Sequence, residues 1–92
     1  IVARYGGEEF IIALQHTNPS NALNIAEKCR SAIENIQINI RDQQTLQVTA
    51  SFGIDFSSHN KSLEQTIRNA DDALYISKQS GRNQVKIFEN RE

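Results

Sequence analysis

Apolar residues fall into short blocks whose period changes along the chain. Ile1 to Tyr5 reads as a strand, Gly6 to Glu9 as a turn, and Phe10 to Leu14 as an unbroken apolar run. Two such blocks around a tight turn predict a hairpin, and the continuous run predicts a second strand covered on both faces. Asn18, Pro19 and Ser20 then supply helix-start chemistry, and Ala22, Ala26, Cys29, Ile33 and Ile36 follow at spacings of three and four. One amphipathic helix accounts for that spacing. Strand character returns from Gln37 to Phe56. Ile38 and Ile40 alternate, Asp42 to Thr45 is polar and turn-like, and Leu46, Val48, Ala50 and Phe52 alternate again. A second hairpin and a long loop into a strand both satisfy this pattern. Ser58 to Lys61 is a polar break, after which Ser62 and Gln65 have capping-box spacing. Leu63, Ile67, Ala70 and Leu74 repeat at helical spacing until Gly81, a natural C-terminal stop, and Gln84 to Phe88 reads as the final strand.

This mixed order of strands and helices predicts an α+β domain, with helices packed on a sheet. At 92 residues the chain holds at most one small domain, near the lower size limit for a self-sufficient core. Ten Lys plus Arg against eleven Asp plus Glu leave a net charge of -1, so no broad basic surface exists to attract a nucleic acid polymer. An anionic ligand has to be met by local cations. The longest apolar run is too short to span a bilayer, so no membrane contact is expected of this segment. The single cysteine, Cys29, allows no internal disulfide, and a reducing cytoplasmic location fits.

The chemistry concentrates at Gly6, Gly7, Glu8 and Glu9. Glycine lets a ligand approach the backbone, and adjacent carboxylates are hard oxygen donors for a divalent cation. Lys78 and Arg82 lie four residues apart around the end of the last predicted helix. By spacing alone they complement the helix dipole. Asp71 and Tyr75 are read as structural, pairing with the hairpin or filling the helix-sheet interface. Asn83 is read as a turn-former, Cys29 as a small core residue, and His16 and His59 as surface histidines.

Arg4 to Phe10, RYGGEEF, resembles the signature of the GGDEF family in its GGEEF form. Val48 to Ile54, VTASFGI, is similar to the family's following core strand, and Ala70 to Val85, ADDALYISKQSGRNQV, to its last helix and turn. The resemblance covers essentially residues 1–92, as the C-terminal part of a single GGDEF domain. It implies a fold like the nucleotide-cyclase palm: a ferredoxin-like, mainly antiparallel central sheet flanked by helices, with the first strand and first helices missing. It also implies a diguanylate cyclase that condenses two GTP molecules into cyclic di-GMP and two pyrophosphates, with Mg2+ or Mn2+ as cofactor and a homodimer as the working state.

Carried over position by position, Gly6 and Gly7 lie against GTP. Glu8 is a metal ligand that also activates the ribose 3′-hydroxyl, Glu9 is a further metal ligand, and Lys78 and Arg82 contact the phosphates. Ser77 stands where the family usually has Ala, and Asp55 where a small residue is commoner. Another metal-binding Asp and the residues that read guanine belong to an earlier part of the family pattern, so the segment alone is expected to be inactive. The alternative is a domain that binds GTP or cyclic di-GMP for regulation without turnover; a purely structural dimerisation domain is the third reading.

Overall fold

The computed structural model describes residues 2–89. Strands β1 (Val2–Gly6) and β2 (Glu9–Ile12) form the first antiparallel hairpin, with Val2 opposite Ile12 and Arg4 opposite Phe10. The register shifts between Arg4 and Gly6, so Gly6 faces Glu9 across the tip. Gly7 has φ +50°, a left-handed conformation that side-chain-bearing residues resist. Its carbonyl accepts both Nε and Nη2 of Arg4, at 2.9 and 2.7 Å, which braces the turn.

The second strand is not covered on both faces. Phe10 and Ile12 are 63% and 52% exposed, while Glu9 and Ile11, on the opposite face, are half-buried. The cause is topological: β1 and β2 form a sheet of their own, and among the described residues no third strand joins them.

Helix α1 runs from Pro19 to Glu34. Asn18 caps it by accepting the Asn21 N–H at 2.8 Å, and Pro19 begins the helix where its missing N–H costs nothing. Ala22 and Ala26 are buried and Cys29 and Ile33 half-buried, as the spacing predicts. Ile36 lies beyond the helix end and is exposed, because Asn35 caps α1 with bonds from its backbone and side chain to Ser31.

Of the two readings for the middle of the chain, the hairpin is the one adopted. Strands β3 (Gln37–Arg41) and β4 (Gln44–Gln47) pair antiparallel around Asp42 and Gln43, whose φ values are +49° and +66°. Two positive values in a two-residue loop match the twist of a hairpin. The alternating run from Leu46 to Phe52 is therefore split, with β4 ending at Gln47 and β5 spanning Phe52–Ile54.

Strand β5, helix α2 (Leu63–Gln79) and strand β6 (Val85–Ile87) form the best-packed unit. The two strands pair in parallel, which requires a crossover connection, and α2 is that crossover. The final strand is thus shorter than Gln84 to Phe88. Helix α2 sits so close to β5 that a Cβ built on Gly53 would lie 2.1 Å from the Ala70 carbonyl oxygen and 2.3 Å from the Leu74 nitrogen. Only glycine permits that approach.

The Ser62 hydroxyl caps α2 by accepting the Gln65 N–H at 3.0 Å, but the Gln65 amide turns forward to Asn69 Oδ1 at 2.8 Å, so only half of the capping box forms. The buried face of α2 holds Ala73 with two polar residues, Asn69 and Ser77, whereas Leu63 is exposed. Asn69 Nδ2 donates to Asp55 Oδ2 at 3.0 Å, and Lys61 Nζ donates to the same oxygen at 2.7 Å. The Ser77 hydroxyl donates to the Gln84 carbonyl at 2.7 Å. Both polar side chains are satisfied, as burial demands.

Candidate functional site

The first hairpin places its signature residues at a tip. Gly6 and Gly7 have open space where a side chain would stand, so their backbone is accessible to a ligand. Glu8 is exposed in the turn, whereas Glu9 begins β2 and is half-buried. Lys78 occupies the last turn of α2, and its Nζ lies 3.5 Å from Glu9 Oε2. The two side chains are 30% and 33% exposed, which makes this a solvent-screened pair rather than a buried one. It joins the hairpin tip to the end of the helix.

Beneath that pair is an open cleft of about 300 Å³, lined by Glu9, Asp71, Asp72, Leu74, Tyr75 and Lys78. Asp71 and Tyr75 do not fill a helix-sheet interface: Asp71 is exposed and Tyr75 is 64% exposed. Both stand away from the buried face of α2, which carries Asn69, Ala73 and Ser77. Their cleft position had no signal in the sequence beyond helical spacing.

The residues that follow α2 turn sharply. Gly81, Arg82 and Asn83 have φ values of +115°, +61° and +50° in succession. Arg82 is exposed, and its side chain makes no hydrogen bond or ion pair among the described residues. Asn83 does more than form the turn, since its side chain reaches Arg30 and Glu34 on α1. The structure therefore brings Glu9 together with Lys78 and sets Arg82 just past the same helix end, without a direct contact from Arg82 to the hairpin.

Glu8 and Glu9 offer the donors that Mg2+ prefers, since that ion is commonly held by one or two carboxylates, with waters and substrate phosphates completing its shell. Among the described residues no cluster of three His, Cys, Asp or Glu side chains gathers. The donor set thus fits a nucleotide-associated ion and not an all-protein cage. No described helix is long and apolar enough to cross a membrane.

The model of the family described as "Diguanylate cyclase, GGDEF domain" matches residues 1–84. The chain belongs to the GGDEF family. Diguanylate cyclase A of Treponema denticola is 45% identical over 91 residues, covering 96% of this chain and 24% of that protein. Diguanylate cyclase DosC of Escherichia coli strain K12 is 36% identical over 87 residues, covering 95% of this chain and 19% of that protein. The chain thus spans about a quarter or less of the curated relatives it matches.

Among solved structures, the GGDEF domain of DgcB from Caulobacter crescentus, in complex with c-di-GMP, superposes with a TM-score of 0.89 at 32% identity. An active GGEEF domain of a diguanylate cyclase from Vibrio cholerae does so with a TM-score of 0.87 at 30% identity. These matches cover 97% and 98% of this chain but only 52% and 56% of the neighbours. The fold is therefore the palm-like α+β fold of GGDEF domains, and the described elements correspond to about half of it.

Proposed function

We propose that this GGDEF domain, within the protein that carries it, is a diguanylate cyclase that converts two GTP molecules into cyclic di-GMP and two pyrophosphates. The observation that carries the reading is the Lys78–Glu9 pair, which joins the acidic signature tip to the cationic end of α2 above an open cleft. A nucleoside triphosphate with its metal needs such an arrangement, with carboxylates for the cation and cations for the phosphates.

Glu8 and Glu9 hold Mg2+ or Mn2+ in this reading. The ion supplies neutralisation of phosphate charge and acidifies a bound hydroxyl. Glu8 accepts the proton of the ribose 3′-hydroxyl. The freed oxygen then bonds to the α-phosphorus of a second GTP as the bond to pyrophosphate breaks. Gly6 and Gly7 leave room for the nucleotide against the backbone, and Arg4 keeps that backbone fixed through the Gly7 carbonyl. Lys78 and Arg82 take the phosphates, and GTP lies between these groups. One such site holds one GTP, so two domains face each other as a homodimer and the reaction runs once in each direction. A GTP-dependent reaction and a lone thiol at Cys29 fit a cytoplasmic setting.

The 92-residue chain alone is inactive in this reading, since its fold matches only about half of the neighbouring domains. The second reading is a domain that binds GTP or cyclic di-GMP without turnover, for which the same cleft and cations would serve. Chromatography of products after incubating the whole protein with GTP and Mg2+ separates the two. Cyclic di-GMP is expected; a folded dimer that binds GTP but yields none assigns the domain to regulation.

A further inference from the structure

The turn after α2 is held far more firmly than a helix stop requires. One left-handed residue, usually glycine, is a common way to end a helix, and Gly81 already supplies it. Arg82 and Asn83 nevertheless continue in the left-handed region, which asparagine tolerates and arginine does not favour. Such a conformation persists only where its surroundings over-determine it, and here they do. The Arg82 N–H donates to the Ser77 carbonyl at 3.0 Å, and the Gln84 amide donates to the Arg82 carbonyl at 3.1 Å.

Asn83 receives the larger share of the bonds. Its N–H donates to Ser51 Oγ at 3.1 Å, its Oδ1 accepts Arg30 Nη1 at 3.0 Å, and its Nδ2 donates to Glu34 Oε2. Arg30 is in turn held by Glu27 and Glu34 at 3.2 and 3.4 Å. Arg30 and Glu34 of α1 thus grip the Asn83 side chain directly and Glu27 steadies Arg30, while the bonds from Ser51, Ser77 and Gln84 hold the backbone of the turn. The Arg82 side chain stays exposed and outside the network. A purely connective turn would serve as well with glycine at that position.

Resting on the phosphate-binding role given to Arg82 above, we propose that Asn83 is a positioning residue of the nucleotide site. Through its clasp on Arg30 and Glu34, it locks Arg82 in the left-handed conformation that aims the guanidinium at the phosphates of GTP. Helix α1, which contributes no group to the cleft, is thereby part of the site's support.

The test uses the whole protein and measures displacement of a fluorescent GTP analogue by GTP and by guanosine, in Arg82→Ala, Asn83→Ala and the double variant. Loss of aim should weaken GTP roughly tenfold or more in Asn83→Ala, since small misplacements of a binding group are costly. Guanosine affinity should be unchanged, and in the Arg82→Ala background the Asn83 change should add less than about twofold, as expected of residues that act as a unit. Asn83→Gly, which keeps the turn accessible but cuts the clasp, should lose the same GTP affinity while remaining folded. Equal losses in both backgrounds, equal losses for guanosine, or full GTP affinity in Asn83→Gly would overturn the positioning role. If Lys78→Ala weakens GTP while Arg82→Ala does not, this inference falls and the cyclase reading stands. A wild-type protein that binds no GTP removes both.

Discussion

Substituting Gly53 tests the packing that seats the middle of α2 on β5. In Gly53→Ala the new methyl would lie 2.1 Å from the Ala70 oxygen, 2.3 Å from the Leu74 nitrogen and 2.8 Å from the Leu74 Cα. All three are backbone atoms, so no rotamer change relieves the clash. Carbon contacts are favourable near 3.5 to 4.0 Å, so α2 must withdraw by on the order of 1 Å. Overpacking of this kind costs about 1 to 3 kcal/mol, and the backbone contact puts Gly53→Ala at the upper end. Withdrawal also strains the Ser77–Gln84 hydrogen bond, worth about 1 kcal/mol more. The sum, about 3 to 4 kcal/mol, is a large part of the roughly 5 to 15 kcal/mol that holds a typical domain folded.

Chemical denaturation of the whole protein measures the loss, with two other glycines as internal standards. Gly6→Ala meets nothing within 4 Å and should stay within about 0.5 kcal/mol of the parent. Gly7→Ala meets no clash but inherits φ +50°, and should lose about 1 to 2 kcal/mol. A Gly53→Ala protein as stable as Gly6→Ala would refute the close seating of α2 on β5.

Ser77→Ala should cost only about 1 kcal/mol by the same assay, because the Gln84 carbonyl that loses the hydroxyl still accepts the Phe52 N–H at 2.9 Å. Asn18→Ala should lose about 1 kcal/mol through the α1 cap. Glu8→Ala should abolish cyclic di-GMP formation while stability stays within about 0.5 kcal/mol, as for other exposed residues; near-normal turnover would exclude the metal and base role. Lys78→Ala should weaken GTP by roughly ten- to a hundredfold in a binding titration and leave guanosine unaffected, the value of one charge-assisted contact.

What the sequence made legible was local. The first hairpin, the α1 stripe through Ala22, Ala26, Cys29 and Ile33, and the stop at Gly81 all depend on residues within a few positions of one another, whereas the second hairpin is one of two readings the pattern allows. The parallel pairing of β5 with β6 is not local, and neither alternation nor turn chemistry announces it. Asn69 and Ser77 look misplaced on a buried helix face until Asp55 and Gln84, brought close only by folding, supply their partners. The exposed face of β2 was misread because a continuous apolar run does not reveal whether its second face finds a neighbour.

In the candidate site, the sequence singles out the signature positions and the two cations but gives no sign that Glu9 and Lys78 lie 3.5 Å apart. The sequence left Asp71 and Tyr75 between pairing with the hairpin and filling the helix-sheet interface; the fold sets them in a cleft beside Glu9, and the anchoring of Asn83 was not seen. An asparagine after Gly-Arg signals a turn, but nothing in that signal names a partner on another helix.

The Lys78–Glu9 pair also has a kinetic consequence. A part-buried ion pair still open to solvent, taken at about 1 kcal/mol, stands broken for on the order of one part in six of the time. Exposed side chains exchange rotamers in picoseconds to nanoseconds, and even a hundredfold slowing by partial burial keeps the exchange within on the order of 100 ns. A ligand at millimolar concentration, arriving even at the diffusion limit of about 10⁹ M⁻¹s⁻¹, reaches a site only about once per microsecond. The ammonium and the carboxylate therefore part and rejoin many times between encounters. Opening this contact sets no rate of its own, and a triphosphate meets Lys78 already sampling its unpaired state.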